Sequence, residues 1–109
     1  MRKVLAVVVA AILVVAVAAP ALASVLASKK ATVGNFYFHP GKLTINRGTK
    51  VVWKFVGGYH DVTVKSGPAK FSSGERLAPA SYSHVFTKAG TYHLYCKIHN
   101  WMKETVVVK

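Results

Sequence analysis

One cysteine, three acidic side chains and two methionines are all that this 109-residue chain holds of those types. Each scarcity excludes something. A single cysteine makes no internal disulfide, so Cys96 pairs with another chain, reacts, or binds something. Fifteen Lys and Arg against three Asp and Glu give a formal charge of +12, an excess that draws acidic proteins and anionic surfaces. The lysines are scattered (Lys42, Lys50, Lys54, Lys65, Lys70, Lys88, Lys97, Lys103) rather than clustered, so nucleic acid, the other standard partner for such charge, is not expected. No stretch keeps a helical period, and no internal repeat, low-complexity tract or second domain stands out.

The one long apolar run is at the start. Met1-Arg2-Lys3 precedes an unbroken small and aliphatic stretch from Val4 to Ala19, then Pro20 and Ala21-Leu22-Ala23, a small-x-small cleavage pattern before Ser24. A second, weaker cleavage point follows Ala27. At about 16 residues the run falls short of the ~20 that cross a bilayer. Residues 1–23 are therefore expected to be a removed signal peptide and 24–109 one mature domain, periplasmic or extracellular. The domain is held to a membrane only if the leader is retained. Loss of Arg2 and Lys3 with the leader leaves a charge of about +10. An exported thiol without a role is an oxidation hazard, which points Cys96 towards ligation.

What the chain has in quantity is short alternating runs with turn punctuation. Thr32 to Phe38 reads as one extended aromatic segment ended by His39-Pro40-Gly41, and Leu43-Thr44-Ile45 ends at Asn46-Arg47-Gly48. Lys50 to Val56 puts Val51, Trp53 and Phe55 on one face and Val52, Lys54 and Val56 on the other, before Gly57-Gly58. Val62 to Val64 is short. Ser66 to Pro79 is loop-rich, with room for a strand fragment or a helical turn. Ser81 to Thr87 sets Tyr82, His84 and Phe86 on one face. About seven to eight strands at this spacing predict an all-β sandwich or barrel.

Near the end stands Cys96-Lys97-Ile98-His99-Asn100-Trp101-Met102, which is Cys-x2-His-x2-Met between the alternating Thr91–Tyr95 and Thr105–Val108. Taken singly, the cysteine reads as a small buried hydrophobe, the histidine as a surface residue and the methionine as core filler. Together they bring a thiolate, an imidazole and a thioether to one tight loop. Strand parity puts Tyr92, Leu94 and Cys96 on one face, so Cys96 points inward if the first two do, and His93 and Tyr95 point the other way. A metal coordinates the thiolate that apolar burial would otherwise keep protonated.

The set needs a second imidazole, and His60, on a loop just before Val62–Val64, is the candidate. His39 lies in a turn, His84 sits mid-strand and His93 points away from Cys96. Two His, one Cys and one Met suit a trigonal copper site with a weak axial sulfur. Zinc is disfavoured because methionine is a poor ligand for it.

These residues resemble a family, the cupredoxins, and within it the single-domain plastocyanin and amicyanin type. The resemblance runs through Asn35-Phe36-Tyr37-Phe38-His39-Pro40, Leu43-Thr44-Ile45, Gly48-Thr49-Lys50-Val51-Val52-Trp53, Tyr59-His60-Asp61-Val62-Thr63-Val64, Phe86 to Tyr92 and Tyr95-Cys96. The Cys-x2-His-x2-Met loop is most similar to the short amicyanin loop. The resemblance implies an eight-stranded Greek-key sandwich that binds one copper ion, Cu(I) or Cu(II), through His60, Cys96, His99 and Met102. It further implies a one-electron shuttle rather than an enzyme.

It also implies that His99 has an edge at the surface and serves as an electron port, with Ile98 and Trp101 in the apolar ring around it. In short-loop members that histidine can protonate and leave Cu(I) at low pH. Tyr95, next to Cys96, is a second candidate port. Lys97 and Lys103 flank the loop, so the donor and acceptor, both redox proteins, are expected to present carboxylates there. Asn100 and Ile98 stand where the family often has prolines, and Ile98 keeps an N–H able to reach the Cys96 sulfur, so no family reduction potential carries over. Asp61 stands where amicyanins have an asparagine that ties the loops, which leaves that contact open.

Other readings fit less well. A copper storage or delivery protein on the same fold would favour Met-rich or His-rich open sites, and this chain has only Met1 and Met102. An oxidase or nitrite reductase needs a second copper centre, which five histidines do not supply. A plain adhesion module explains the strands but not the loop.

Overall fold

A computed structural model describes residues 26–109. The expected leader, 1–23, lies outside the described residues. Among these there is no helix. Ten strands follow in order: β1 (Ser28–Gly34), β2 (Tyr37–His39), β3 (Lys42–Ile45), β4 (Thr49–Phe55), β5 (Tyr59–His60), β6 (Thr63–Ser66), β7 (Arg76–Leu77), β8 (Ala80–Phe86), β9 (Gly90–Tyr95) and β10 (Lys103–Val108).

Eight of them make two four-stranded sheets, ordered β2-β1-β4-β8 and β3-β10-β9-β6, while β5 and β7 form a two-residue pair at one end. The chain is therefore an all-β sandwich, as the alternation predicted. Both sheets are mixed: β1 runs parallel to β4 and β10 parallel to β3, with antiparallel neighbours elsewhere.

Period-two alternation sorts the residues between core and solvent. On β4, Val51, Trp53 and Phe55 are buried and Lys54 is exposed; on β9, Tyr92 and Leu94 are buried and His93 is exposed; on β10, Val106 and Val108 face in. Between the sheets the Phe86 ring meets Tyr92 edge-on at 5.0 Å and lies 6.2 Å from Trp53. Each such fully buried side chain contributes about 1.5–3 kcal/mol of transfer free energy. One polar contact crosses this core: the Trp53 Nε1–H donates to Glu104 Oε1 at 2.8 Å.

Two details differ from the pattern read in the sequence. Thr32 to Phe38 is not one strand. It is a tight hairpin in which Gly34 pairs with Tyr37, leaving Asn35 and Phe36 at the turn. The unbroken aromatic run masked the turn that Gly34-Asn35 introduces. The Tyr37 ring lies over Gly34, so a side chain there would require that exposed ring to shift. The stretch from Ser66 to Pro79 holds a strand fragment, β7, and no helical turn. It runs back along the residues before β6, with Ser73 N–H bonded to the Val62 carbonyl (2.9 Å) and Val62 N–H to Ser73 Oγ (2.8 Å). That doubled contact fixes the chain just after His60.

Candidate metal centre

Three loops meet at one end of the sandwich. The first leaves β9. Inward Tyr92 and Leu94 are followed two residues on by Cys96, which has no exposed surface. Tyr95 and Lys103 are paired across β9 and β10, so residues 96–102 form a closed turn. Met102 N–H donates to the His99 carbonyl (2.9 Å) and Cys96 N–H to the Met102 carbonyl (3.3 Å), which ties the turn to itself. The second loop carries His60 on β5, buried completely. The third is the Asn35-Phe36 turn of the β1–β2 hairpin.

His60, Cys96 and His99 converge. The two Nδ1 atoms are 3.1 Å apart, and Cys96 Sγ lies 3.9 Å from the first and 3.8 Å from the second. The centre of a triangle with these sides is about 2.1 Å from each corner, within the about 2.0–2.3 Å of metal–nitrogen and metal–sulfur bonds. Two imidazole nitrogens 3.1 Å apart share no proton unless one ring is a donor, but they share a cation readily. Met102, at the foot of the same turn, is 2% exposed and completes the soft donor set. His60, Cys96, His99 and Met102 are thus positioned as a type 1 copper site, and the residues fit the ion.

Electrostatics prepare the ligands. Burial holds the His60 imidazole below its ordinary pKa, and the neighbouring His99 lowers it further; the Gly57 carbonyl and the Asp61 carboxylate act the other way. A neutral imidazole is the form that binds metal. His99 is only half-buried.

The surroundings are more specific than the sequence suggested. Asp61 does tie the loops: its Oδ1 accepts the Lys97 N–H at 2.7 Å, and its own N–H points at Cys96 Sγ at 3.5 Å. The sulfur's backbone donor is therefore Asp61; the Ile98 N–H makes no such bond among the described residues. Asn35 and Phe36, which the sequence offers only as part of the family resemblance, were not expected beside the ligands. Asn35 Oδ1 lies 2.9 Å from His60 Nε2, and the Phe36 ring sits edge-on to His99 at 4.9 Å. Trp101 also flanks His99, at 5.4 Å, and is 63% exposed. The signal for this third loop was the Gly34-Asn35 turn followed by an aromatic with no core partner, and nothing in the spacing linked it to His60.

The remaining singled-out residues lie around the site. Ile98, Lys97 and Lys103 are exposed, and Tyr95 is half-buried on the outer face of its sheet under Lys65 Nζ, 5.6 Å from the ring centre. The other histidines stay away: His39 and His93 are exposed, and His84 stacks on Phe71 at 3.8 Å. A groove of about 410 Å³ on that outer face is lined by Lys65, Ser66, His93, Tyr95, Lys103 and Thr105, beside the centre rather than over it.

Among solved structures, a reduced amicyanin variant is 26% identical, with a TM-score of 0.68, over 75% of this chain and 82% of its own. A purple cupredoxin from Nitrosopumilus maritimus, 22% identical at TM-score 0.68 over 74% of this chain and 99% of its own, supports the fold. A copper-containing nitrite reductase from Thermus scotoductus is 30% identical at TM-score 0.69 over 87% of this chain, but only 25% of that enzyme is covered. A search of curated protein sequences returned no match. A profile of copper-binding proteins of the plastocyanin/azurin family matches residues 25–109. The match takes in both sheets and all three loops of the centre, and the chain belongs to that family.

Proposed function

We propose that this chain is an exported one-electron carrier, not an enzyme, that holds a single copper ion through His60, Cys96, His99 and Met102. The observation that carries the reading is the donor triangle, closed by a buried thioether from the same turn. Copper supplies the Cu(I)/Cu(II) couple; the protein supplies a cage that suits both states, with thiolate and thioether favouring Cu(I) and imidazoles serving either.

Each ligand is held from behind. Cys96 is fixed by β9 and by the Asp61 N–H, Met102 by its bond to the His99 carbonyl, and His60 by Asn35. Complete burial of His60 and Cys96 excludes water from that side. A cage that rearranges little opposes electron transfer little. His99, half-buried between Phe36 and Trp101, is the port; Tyr95 is a second one, reached through the peptide that joins it to Cys96. Ile98 and Trp101 provide apolar contact, and Lys97 and Lys103 meet carboxylates on donor and acceptor, a small and salt-sensitive encounter.

An enzyme of the nitrite reductase kind needs a second metal centre. Among the described residues, His60, Cys96 and His99 are the one group of three His, Cys or acidic side chains placed to hold an ion. The test is cycling. The copper-loaded chain, reduced and reoxidised repeatedly beside a mild chelator, is expected to return to its starting spectrum with its copper retained. Loss of the metal on the first reduction would favour the storage or delivery reading on the same fold.

A further inference from the structure

We propose that Asn35 is a positioning residue of the centre: its side-chain carbonyl fixes the His60 ring as the tautomer whose Nδ1 is free to bind metal. The inference rests on the ligand assignment above and concerns residues outside it.

An imidazole that ligates through Nδ1 must carry its proton on Nε2. His60 Nδ1 is the atom facing His99 Nδ1 and Cys96 Sγ. On the opposite side of the ring, Nε2 lies 2.9 Å from Asn35 Oδ1. An amide oxygen only accepts, so this contact is formed when Nε2 is protonated and lost when the proton moves to Nδ1. The ring is fully buried, so an unprotonated Nε2 would face that oxygen lone pair to lone pair and lose the contact unless the Asn35 amide turned its NH2 inward.

An independent feature points the same way. Gly58 sits at φ +81°, and a Cβ built there would come within 2.6 Å of His60 Nε2 and overlap Asn35 Oδ1. Position 58 is bare of side chain where the Asn35 amide reaches the ring. The next residue along the hairpin, Phe36, packs edge-on against both imidazoles, 6.1 Å from His60 and 4.9 Å from His99. One two-residue turn on the opposite sheet thus braces both histidines, one by a hydrogen bond and one by packing. A partner of this kind outside the ligand set is worth about 10–100-fold in metal affinity.

The experiment is long-range ¹H–¹⁵N NMR of the histidine rings in the full chain without copper, followed by copper affinity measured by competition. Wild-type His60 is expected to show a protonated Nε2 and an unprotonated Nδ1. Asn35→Leu, which keeps the bulk but has no acceptor, should populate the other tautomer and bind copper about 10–100-fold more weakly. Asn35→Asp keeps an acceptor oxygen and should restore the wild-type tautomer. Gly58→Ala should resemble Asn35→Leu by pushing the amide off the ring.

A wild-type ring protonated at Nδ1 would overturn the proposal, and that result needs no variant to fold. So would an Asn35→Leu chain with unchanged His60 shifts and affinity, which would leave the Gly57 carbonyl as the sufficient acceptor. If the wild-type chain takes up no copper, the carrier reading fails while the ring tautomer still judges Asn35.

Discussion

Glu104 is the residue most at odds with its surroundings. It is 2% exposed inside the sandwich, where Oε1 accepts from Trp53 and Oε2 has no partner among the described residues. Burial raises its pKa from 4.5 to about 7, only partly offset by the indole hydrogen bond. The folded state therefore binds a proton that the unfolded chain releases. The Glu104 contribution to stability is full below pH 4.5, falls as pH rises towards about 7, and levels off above it, for a loss on the order of 3 kcal/mol. Denaturant unfolding of the copper-free chain at acid and mildly alkaline pH, compared between wild type and Glu104→Gln, isolates this contribution, which the variant should lack.

Asp61 is buried to better purpose. Asp61→Ala removes the acceptor of the Lys97 N–H and should cost about 1–3 kcal/mol, whereas Asp61→Asn, which keeps that acceptor, should lose much less. Chemical denaturation separates the two. At this scale the ligands were legible because their types are rare and their spacing tight. Asn35 was not, because a hydrogen bond to the far side of a ring leaves no periodic trace in a sequence.

The strands carry the second level of the account. Val51-Trp53-Phe55 and Tyr92-Leu94-Cys96 were readable from alternation alone, since a half-buried strand can place every other residue inward in only one way. That parity aims Cys96 at the core. The β1–β2 hairpin and the short β5–β7 pair were not readable. The first hides its turn inside an aromatic run, and the second is two residues long and held mainly by its neighbours. The elements around the core have little slack: Phe86→Ala should destabilise by about 3–5 kcal/mol, read by thermal or denaturant unfolding, because Trp53 and Tyr92 cannot both close on the space left.

Taken whole, the molecule hides most of its few acids. Asp61 and Glu104 are buried, and Glu75, the one exposed acid among the described residues, accepts the Tyr59 hydroxyl at 2.7 Å. The outer surface is accordingly basic, and Lys65, Lys97 and Lys103 lie beside the ports proposed for electron exchange. The charge excess was plain from composition; that the acids were withdrawn inside was not, because burial of a carboxylate depends on tertiary neighbours. Electron exchange with an acidic redox protein should slow by about tenfold or more from low to high salt, and Lys97→Glu with Lys103→Glu should remove most of that dependence. Stopped-flow kinetics across a salt series gives the slope.

The central claim is that the thiolate and one imidazole of the 96–102 turn and the second imidazole, on β5, close on a single copper ion. Stepwise addition of Cu(II) to the purified chain, followed by visible absorption, tests it most directly. An intense thiolate-to-copper band that saturates at one equivalent and is absent in Cys96→Ser is the predicted result. A colourless adduct, or a band that survives the loss of Cys96, would contradict it.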